Sequence, residues 1–185
     1  VMVNLSDIIA MGGRGLAMTN AIWAPDKVYA EKILGGMREA SETYNIPIVG
    51  GHTNLKTDRP QLAATILGRA DVLITSFDAS PGQILVVISD QRGSYVGESK
   101  NFASFIGVNP KRLQKDNEIL PALAEKKLIS AGKDISQGGI IGTSIMLAES
   151  SGVGIDIDPL ALKCPDDNLE KWMTAFPSFG FLLSV

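Results

Sequence analysis

Residues 4 to 25, NLSDIIAMGGRGLAMTNAIWAP, decide how this chain is read. Residues 5 to 11 read as a short helix that Gly12 and Gly13 stop, and GLAMTNAIWAP then alternates well enough for a strand ended by Pro25. Asp7 is the one carboxylate in an otherwise apolar helical segment, and its placement calls for a reason. Working outward, Asp26 is positioned to cap a helix over residues 26 to 44, with Ala30, Ile33, Leu34, Met37 and Tyr44 at helical spacing. Gly35 and Gly36 weaken that helix and would allow close packing. IPIVGG and LAATILGRA read as strands on either side of a polar loop, HTNLKTDRP. The turn signal ASPGQ separates two further predicted strands, VLITS and ILVVISD. A boundary near residue 70 gives two units, 1–70 and 71–185. The second is predicted to run helix (117 to 129), glycine-bearing loop, helix (139 to 150), strand VGIDID, helix (167 to 175) and a last strand GFLLSV.

Composition narrows the function classes. With 185 residues, 45% hydrophobic and 20% charged, the chain can bury a core as one domain or two small ones. The net charge of −3 and the scatter of Lys and Arg speak against nucleic acid or an anionic membrane as partner. No apolar run reaches the ~20 residues of a membrane span. Cys164 is the single cysteine, so no internal disulfide can form, which suits a reducing cytoplasm. Val1 opens directly into a hydrophobic element, as in a piece cut from a longer chain.

Three polar spots interrupt the apolar scaffold, each flanked by glycine: NLSDIIAMGG, VGGHTN and GKDISQGG. Glycines let backbone amides approach phosphate oxygens, and carboxylates hold the magnesium that accompanies a nucleotide. The third spot precedes a predicted helix, so Gly138 and Gly139 are expected to offer free N–H groups to an anion, with Asp134 facing the metal.

The segments VNLSDIIAMGG, VGGHTN, SPGQILVVISD and DISQGGIIGTSIMLAESSGVGIDID stand in the order and spacing of the aminoimidazole ribonucleotide (AIR) synthetase superfamily, and nearly the whole chain resembles it. The superfamily also contains thiamine-monophosphate kinase, selenophosphate synthetase, formylglycinamidine ribonucleotide synthetase and a hydrogenase-maturation carbamoyl dehydratase. The ending FPSFGFLLSV looks most like the AIR synthase-related branch. The resemblance implies a two-domain α/β fold: an N-terminal domain, here lacking its start, that pairs with its twin in a homodimer, and a C-terminal α/β sandwich. It implies ATP and magnesium between the domains and phosphorylation of a small metabolite. Carried over residue by residue, Asp7 and Asp134 would be metal ligands. Asn4, Gly50, Gly51, His52, Thr53, Ser136, Gln137, Gly138 and Gly139 would bind ATP and its phosphates, and Arg92, Tyr95 and Lys100 would lie near substrate. No catalytic acid, base or nucleophile is assigned.

Departures accompany the resemblance. His52 stands where thiamine-monophosphate kinases carry an aspartate, although selenophosphate synthetases share GGH. Gln137 replaces another kinase aspartate, and FPSFGFLL replaces an acidic motif. Imidazole is a poor magnesium ligand and an amide cannot neutralise a cation. A homologue that binds a nucleotide or metabolite without chemistry is the alternative reading. Each residue also has a plainer role open to it. Asp7 could be an exposed helix residue, Asp134 a turn cap through Ser136, and His52 a surface-loop residue. Arg92, Tyr95 and Lys100 could form a solvated loop, Asp156 and Asp158 a solvent face, and Cys164 a packed spacer.

Overall fold

The computed structural model describes residues 1–185. Helix α1 (Met2–Ala10) leads into β1 (Arg14–Trp23), followed by α2 (Lys27–Tyr44), β2 (Ile48–Asn54) and β3 (Gln61–Arg69). β1 is the centre of a three-stranded sheet, parallel to β2 and antiparallel to β3. The second sheet joins β4 (Leu85–Ser89), β9 (Gly180–Ser184) and β7 (Ala131–Asp134), all antiparallel, with β9 central. A third, minor sheet joins β5 (Ser94–Tyr95), β6 (Asn101–Ala103) and β8 (Phe176–Pro177). The remaining helices are α3 (Pro110–Asp116), α4 (Ile119–Glu125), α5 (Gly139–Ser151) and α6 (Leu169–Met173). The result is the mixed α/β architecture that the sequence led us to expect.

The AMGG sequence ends α1 with a left-handed Gly12 (φ +74°), whose N–H donates to the Ile9 carbonyl at 2.8 Å while that of Gly13 donates to Ile8 at 2.9 Å. This pair of bonds satisfies two end carbonyls, and only glycine takes the required conformation without strain. A Cβ on Gly12 would also stand 2.7 Å from the Val72 carbonyl oxygen, so the turn is where residues 72 to 74 cross α1. Asp26 caps α2 through the Tyr29 N–H, and a left-handed Asn45 ends it.

Two cores meet across β9. Leu5, Ile9 and Ala10 of α1 pack with Met18, Met37, Ile46 and Ile66 of the first unit and with Phe181 and Leu183 of β9. Leu182, facing the opposite way, packs with Ile135, Ile140, Leu147 and Trp172. Alternation along a strand buried on both faces thus explains the unbroken run FLL. It also leaves α1 sandwiched between the first sheet and the second, which fixes where Asp7 projects.

Several predicted elements differ. VLITS forms no strand; Thr75 makes a single bridge to Ala131, and the Thr75 hydroxyl turns to Asp78 instead. VGIDID likewise alternates but has no neighbouring strand to complete a ladder, and Asp158 caps a 3-10 turn through the Leu160 N–H. The helix predicted over 117 to 129 forms as the shorter α4, Ile119–Glu125; α3, which was not expected, lies wholly before it, starting at Pro110 under an Asn109 cap, and the chain breaks between the two at Asn117–Glu118. Pro121 accounts for the break, because it lacks the N–H that would reach the Asn117 carbonyl, and its ring sits comfortably only in the first turn of α4. The helix predicted from 167 to 175 contracts to Leu169–Met173, and β2 runs on through His52 to Asn54 where a loop was expected. Gly35 and Gly36 face open space, so the expected close packing is not realised within the chain.

Candidate functional site

α1 and β7 bring the two carboxylates of the first and third polar spots together. Asp7 is exposed on α1; partial desolvation there and the Asp134 carboxylate push it above the usual carboxylate range, with the Lys133 ammonium pulling the other way. Asp134 is buried, 7% exposed, and sits at the end of β7, where its Oδ1 lies 3.6 Å from the Lys133 Nζ. The Ser136 hydroxyl donates to its Oδ2 at 3.4 Å. Ser136 in turn donates its backbone N–H to the Thr143 hydroxyl at 2.9 Å, folding the DISQGG turn back onto α5.

That turn depends on Gly139 (φ +67°), which is buried, whereas Gln137 and Gly138 are exposed. The Gly139 N–H donates to the Ser136 carbonyl at 2.9 Å. Gly139 therefore does not offer the free amide expected of it, because its conformation closes the turn. Its missing side chain matters for another reason: a Cβ would strike the Met173 carbonyl and stand 2.5 Å from the Thr174 Cα.

The second polar spot occupies β2, at the far edge of the first sheet. Gly50 is open, Gly51 lies against the Asn20 side chain, and His52 and Thr53 are exposed. His52 pairs with Ala21, on the face opposite buried Met18 and Ile22. No hydrogen bond or ion pair joins this segment to Asp7 or Asp134. Asn4 is engaged structurally: its side-chain amide donates to the Ala64 carbonyl at 3.1 Å, tying α1 to β3.

The three residues expected near substrate are dispersed in their engagements. Arg92 belongs to a closed ring of charges: it donates to Asp90 Oδ1 at 2.7 Å and to Asp116 Oδ2 at 3.0 Å, while Arg112 donates to Asp90 Oδ2 at 2.7 Å and lies 3.5 Å from Asp116. Tyr95 meets Phe102 edge-on with the Lys171 ammonium 3.5 Å from its ring centre. Lys100 is exposed and contributes its carbonyl to the Phe176 N–H at 2.9 Å. Asp90, Arg112, Asp116 and Lys133 were not singled out from the sequence, although the i,i+4 spacing in RLQKD and the adjacency in GKD are visible there.

Burial alone pushes the Asp90 carboxyl up, but the hydrogen bonds and charge of Arg92, with Arg112, outweigh it and hold it below the ordinary range. The stability this contributes is present above the unfolded value of about 3.9 and is lost as pH falls through the lower folded value. Asp90→Asn should therefore lower the melting temperature at neutral pH and flatten the acid limb of the curve below about pH 4. An unchanged acid limb would exclude Asp90 as its source.

Two large cavities lie elsewhere. One of about 890 Å³ runs along the open edge of β4 and includes Asp90, Arg92, Asp116, Asp156 and Asp158. The other, about 920 Å³, lies between α2 and residues 105 to 110. Neither is lined by Asp7 or Asp134. Nor does any group of three or more His, Cys, Asp or Glu side chains come together as a metal centre. The carboxylate pair with the Ser136 hydroxyl is nonetheless a set of hard oxygen donors, the type magnesium takes together with substrate phosphates and water.

Comparison with known proteins locates this arrangement. Residues 1–70 match the family model for the N-terminal domain of AIR synthase related proteins, and residues 79–185 match the model for their C-terminal domain. The chain belongs to the AIR synthase-related family. An uncharacterised protein of Synechocystis is 46% identical over 192 residues, covering 100% of this chain and 58% of its own length. The chain thus spans little more than half of that relative's length. Among solved structures, Thermotoga maritima PurL complexed with ATP superimposes with a TM-score of 0.75 at 19% identity, covering 100% of this chain and 31% of that one. AaThiL complexed with AMPPCP and TMP gives 0.71 at 21% identity, over 98% and 65%. At such identities the likeness establishes the fold, which is that of AIR synthetase-like proteins. The family's relatives include thiamine-monophosphate kinases and selenide, water dikinases. No helix is long and apolar enough to cross a membrane.

Proposed function

We propose that this AIR synthase-related chain carries part of an ATP- and magnesium-dependent phosphoryl-transfer site acting on a small metabolite. The observation that carries the reading is the convergence of Asp7 and Asp134, from elements 127 residues apart in sequence, beside the turn that starts α5. Two carboxylates forced together without a cation repel each other, and a divalent ion relieves that repulsion. Asp7 and Asp134 would hold magnesium, and Ser136 would orient Asp134. The exposed Gln137 and Gly138 would meet phosphate oxygens. Bound magnesium would neutralise charge on the transferred phosphoryl group; the protein's part is positioning and electrostatics. Solved neighbours of the same fold hold ATP and AMPPCP, which supports a nucleotide as the ligand class.

The second reading, a binding homologue without catalysis, is favoured by the absence of a third acid beside Asp7 and Asp134 and by Gln137 and His52 where kinases have carboxylates. The two separate in one experiment. Full-length protein incubated with Mg-ATP and a mixture of small metabolites should release ADP under the first reading, whereas under the second it shows only ligand-dependent thermal stabilisation. Absence of both removes the nucleotide reading altogether.

The first sheet also argues for a homodimer. Its helix-free face carries Leu67, 65% exposed, beside Ala17, Thr19, Ala21 and Ala63, and both edges of the sheet are open. A second copy would cover that surface with the same patch on each subunit. Light scattering at micromolar concentration should report two chains, and a monomer would contradict it. The single cysteine and the metabolic role assign the protein to the cytoplasm in this proposal.

A further inference from the structure

Lys133 is the cation nearest the carboxylate pair, and its route there is indirect. In β7, Lys133 pairs with Leu182 and Asp134 with Phe181, so the two side chains leave the strand on opposite faces. β7 is an edge strand of its sheet, partnered by β9 on one side and by a single bridge at Thr75–Ala131 on the other. The Lys133 ammonium nevertheless lies 3.6 Å from the Asp134 Oδ1. The side chain is only 26% exposed; Asp134 is its ion-pair partner, and the lysine's charge acts on Asp7 as well. The separation is loose for a charge-assisted bond, which leaves the three donors of the ammonium free for a stronger acceptor.

We infer that Lys133 is a positioning residue of the Asp7–Asp134 site: in the free protein its ammonium stands in for a cation beside the carboxylates, and with nucleotide bound it turns to the phosphates. This inference rests on the nucleotide reading proposed above. The charge count supports it. Asp7 and Asp134 supply two negative charges where further kinase-type acids are missing, and Lys133 reduces the site to −1. One divalent cation then makes the site net positive toward a polyphosphate, with no requirement for a second ion. A lysine on a flexible stem suits this exchange, since it acts as a point charge that follows its acceptor.

The inference predicts opposite changes in two binding constants, which a lysine with a merely structural role would not produce. In the full-length protein, Lys133→Met removes the resident cation. Affinity for Mn²⁺ alone, measured by calorimetry without nucleotide, should rise about three- to tenfold because the repulsion between cations is gone. Affinity for AMPPCP at saturating Mg²⁺ should fall about tenfold for loss of one charge-assisted phosphate contact. Lys133→Arg should restore most of the second value and keep the first near that of the wild type. If wild-type protein binds both probes and Lys133→Met shifts neither, or shifts both in the same direction, the inference is overturned and the nucleotide site stands. If wild-type protein binds neither Mn²⁺ nor AMPPCP, the site proposal and this inference fall together. Circular dichroism of the variant checks its fold; should Lys133→Met unfold, Lys133→Gln reads the same pair of constants.

Discussion

Asp7→Asn should cost roughly ten- to hundredfold in magnesium-dependent ATP affinity and leave the fold intact. The substitution keeps the shape of the side chain and removes only its charge. One charge-assisted contact is worth about 1.5–3 kcal/mol, which sets that range. Without ligand the sign of the stability change is the opposite of what loss of an ordinary interaction gives. The folded-state pKa of Asp7 is raised, first by partial desolvation and then by Asp134, so its ionised form is disfavoured in the native protein. The resulting penalty is absent below the unfolded value of about 3.9 and grows as pH rises through the higher folded value. At neutral pH the ligand-free variant should melt no lower than the wild type, and added Mg²⁺ should stabilise the wild type more. Calorimetry with ATP, with and without Mg²⁺, and melting curves at pH 4 and 7 measure both effects. Equal ATP affinities for variant and wild type would leave Asp7 an exposed helix residue with no part in nucleotide binding.

Gly139→Ala should be among the most damaging single-methyl substitutions in the chain, at about 2–5 kcal/mol. A left-handed residue with a side chain costs roughly 1–2 kcal/mol, and overpacking adds about 1–3 kcal/mol. Here the obstructing atoms are backbone, the Met173 carbonyl and the Thr174 Cα, and cannot swing aside as a side-chain tip would. The melting temperature should fall by roughly 5–15 °C for a chain of this size. Gly142→Ala, three residues on, is the control: its Cβ would face open space inside a helix, where alanine is preferred by about 1 kcal/mol. A Gly139→Ala variant as stable as Gly142→Ala would mean that the α5 turn is not held against α6.

Legibility in the sequence followed locality. The end of α1 could be read because AMGG encodes its own stop, and the cap of α2 because Asp26 acts three residues away. Likewise, α5 was expected over 139 to 150 and forms as Gly139–Ser151, ended by a left-handed Gly152. VLITS and VGIDID were misread because β patterning marks a segment that fits a sheet without saying whether a neighbour is available. The four-residue β7 was missed for the converse reason: AGKD has no alternation of note, and its pairing comes from β9, whose partner residues lie some 50 positions later. The expected helix over 117 to 129 was realised as α4, whereas α3 escaped notice because PKRLQKD buries only Leu113 and shows no apolar stripe. At the site, Asp7 and Asp134 were legible as types flanked by glycine. That Gly139 serves the turn while Gly138 remains exposed was not, because it depends on where residues 173 and 174 pass. The engagement of Arg92 was hidden likewise, its partners Asp90 and Asp116 being drawn from a strand end and a helix.

The ring formed by Asp90, Arg92, Asp116 and Arg112 has an energetic property that none of its four contacts has alone. Each member touches two of the others, so removing any one opens the loop into a chain of three whose outer groups have lost half their partners. The first substitution therefore breaks two of the four contacts, whereas a second at a neighbouring member breaks only one more, since the contact between them is already lost. Substitution energies around this loop belong to the loop and cannot be apportioned among its residues. Because β4, the segment after it and α3 are stitched by the same four charges, they respond to titration of Asp90 as a unit.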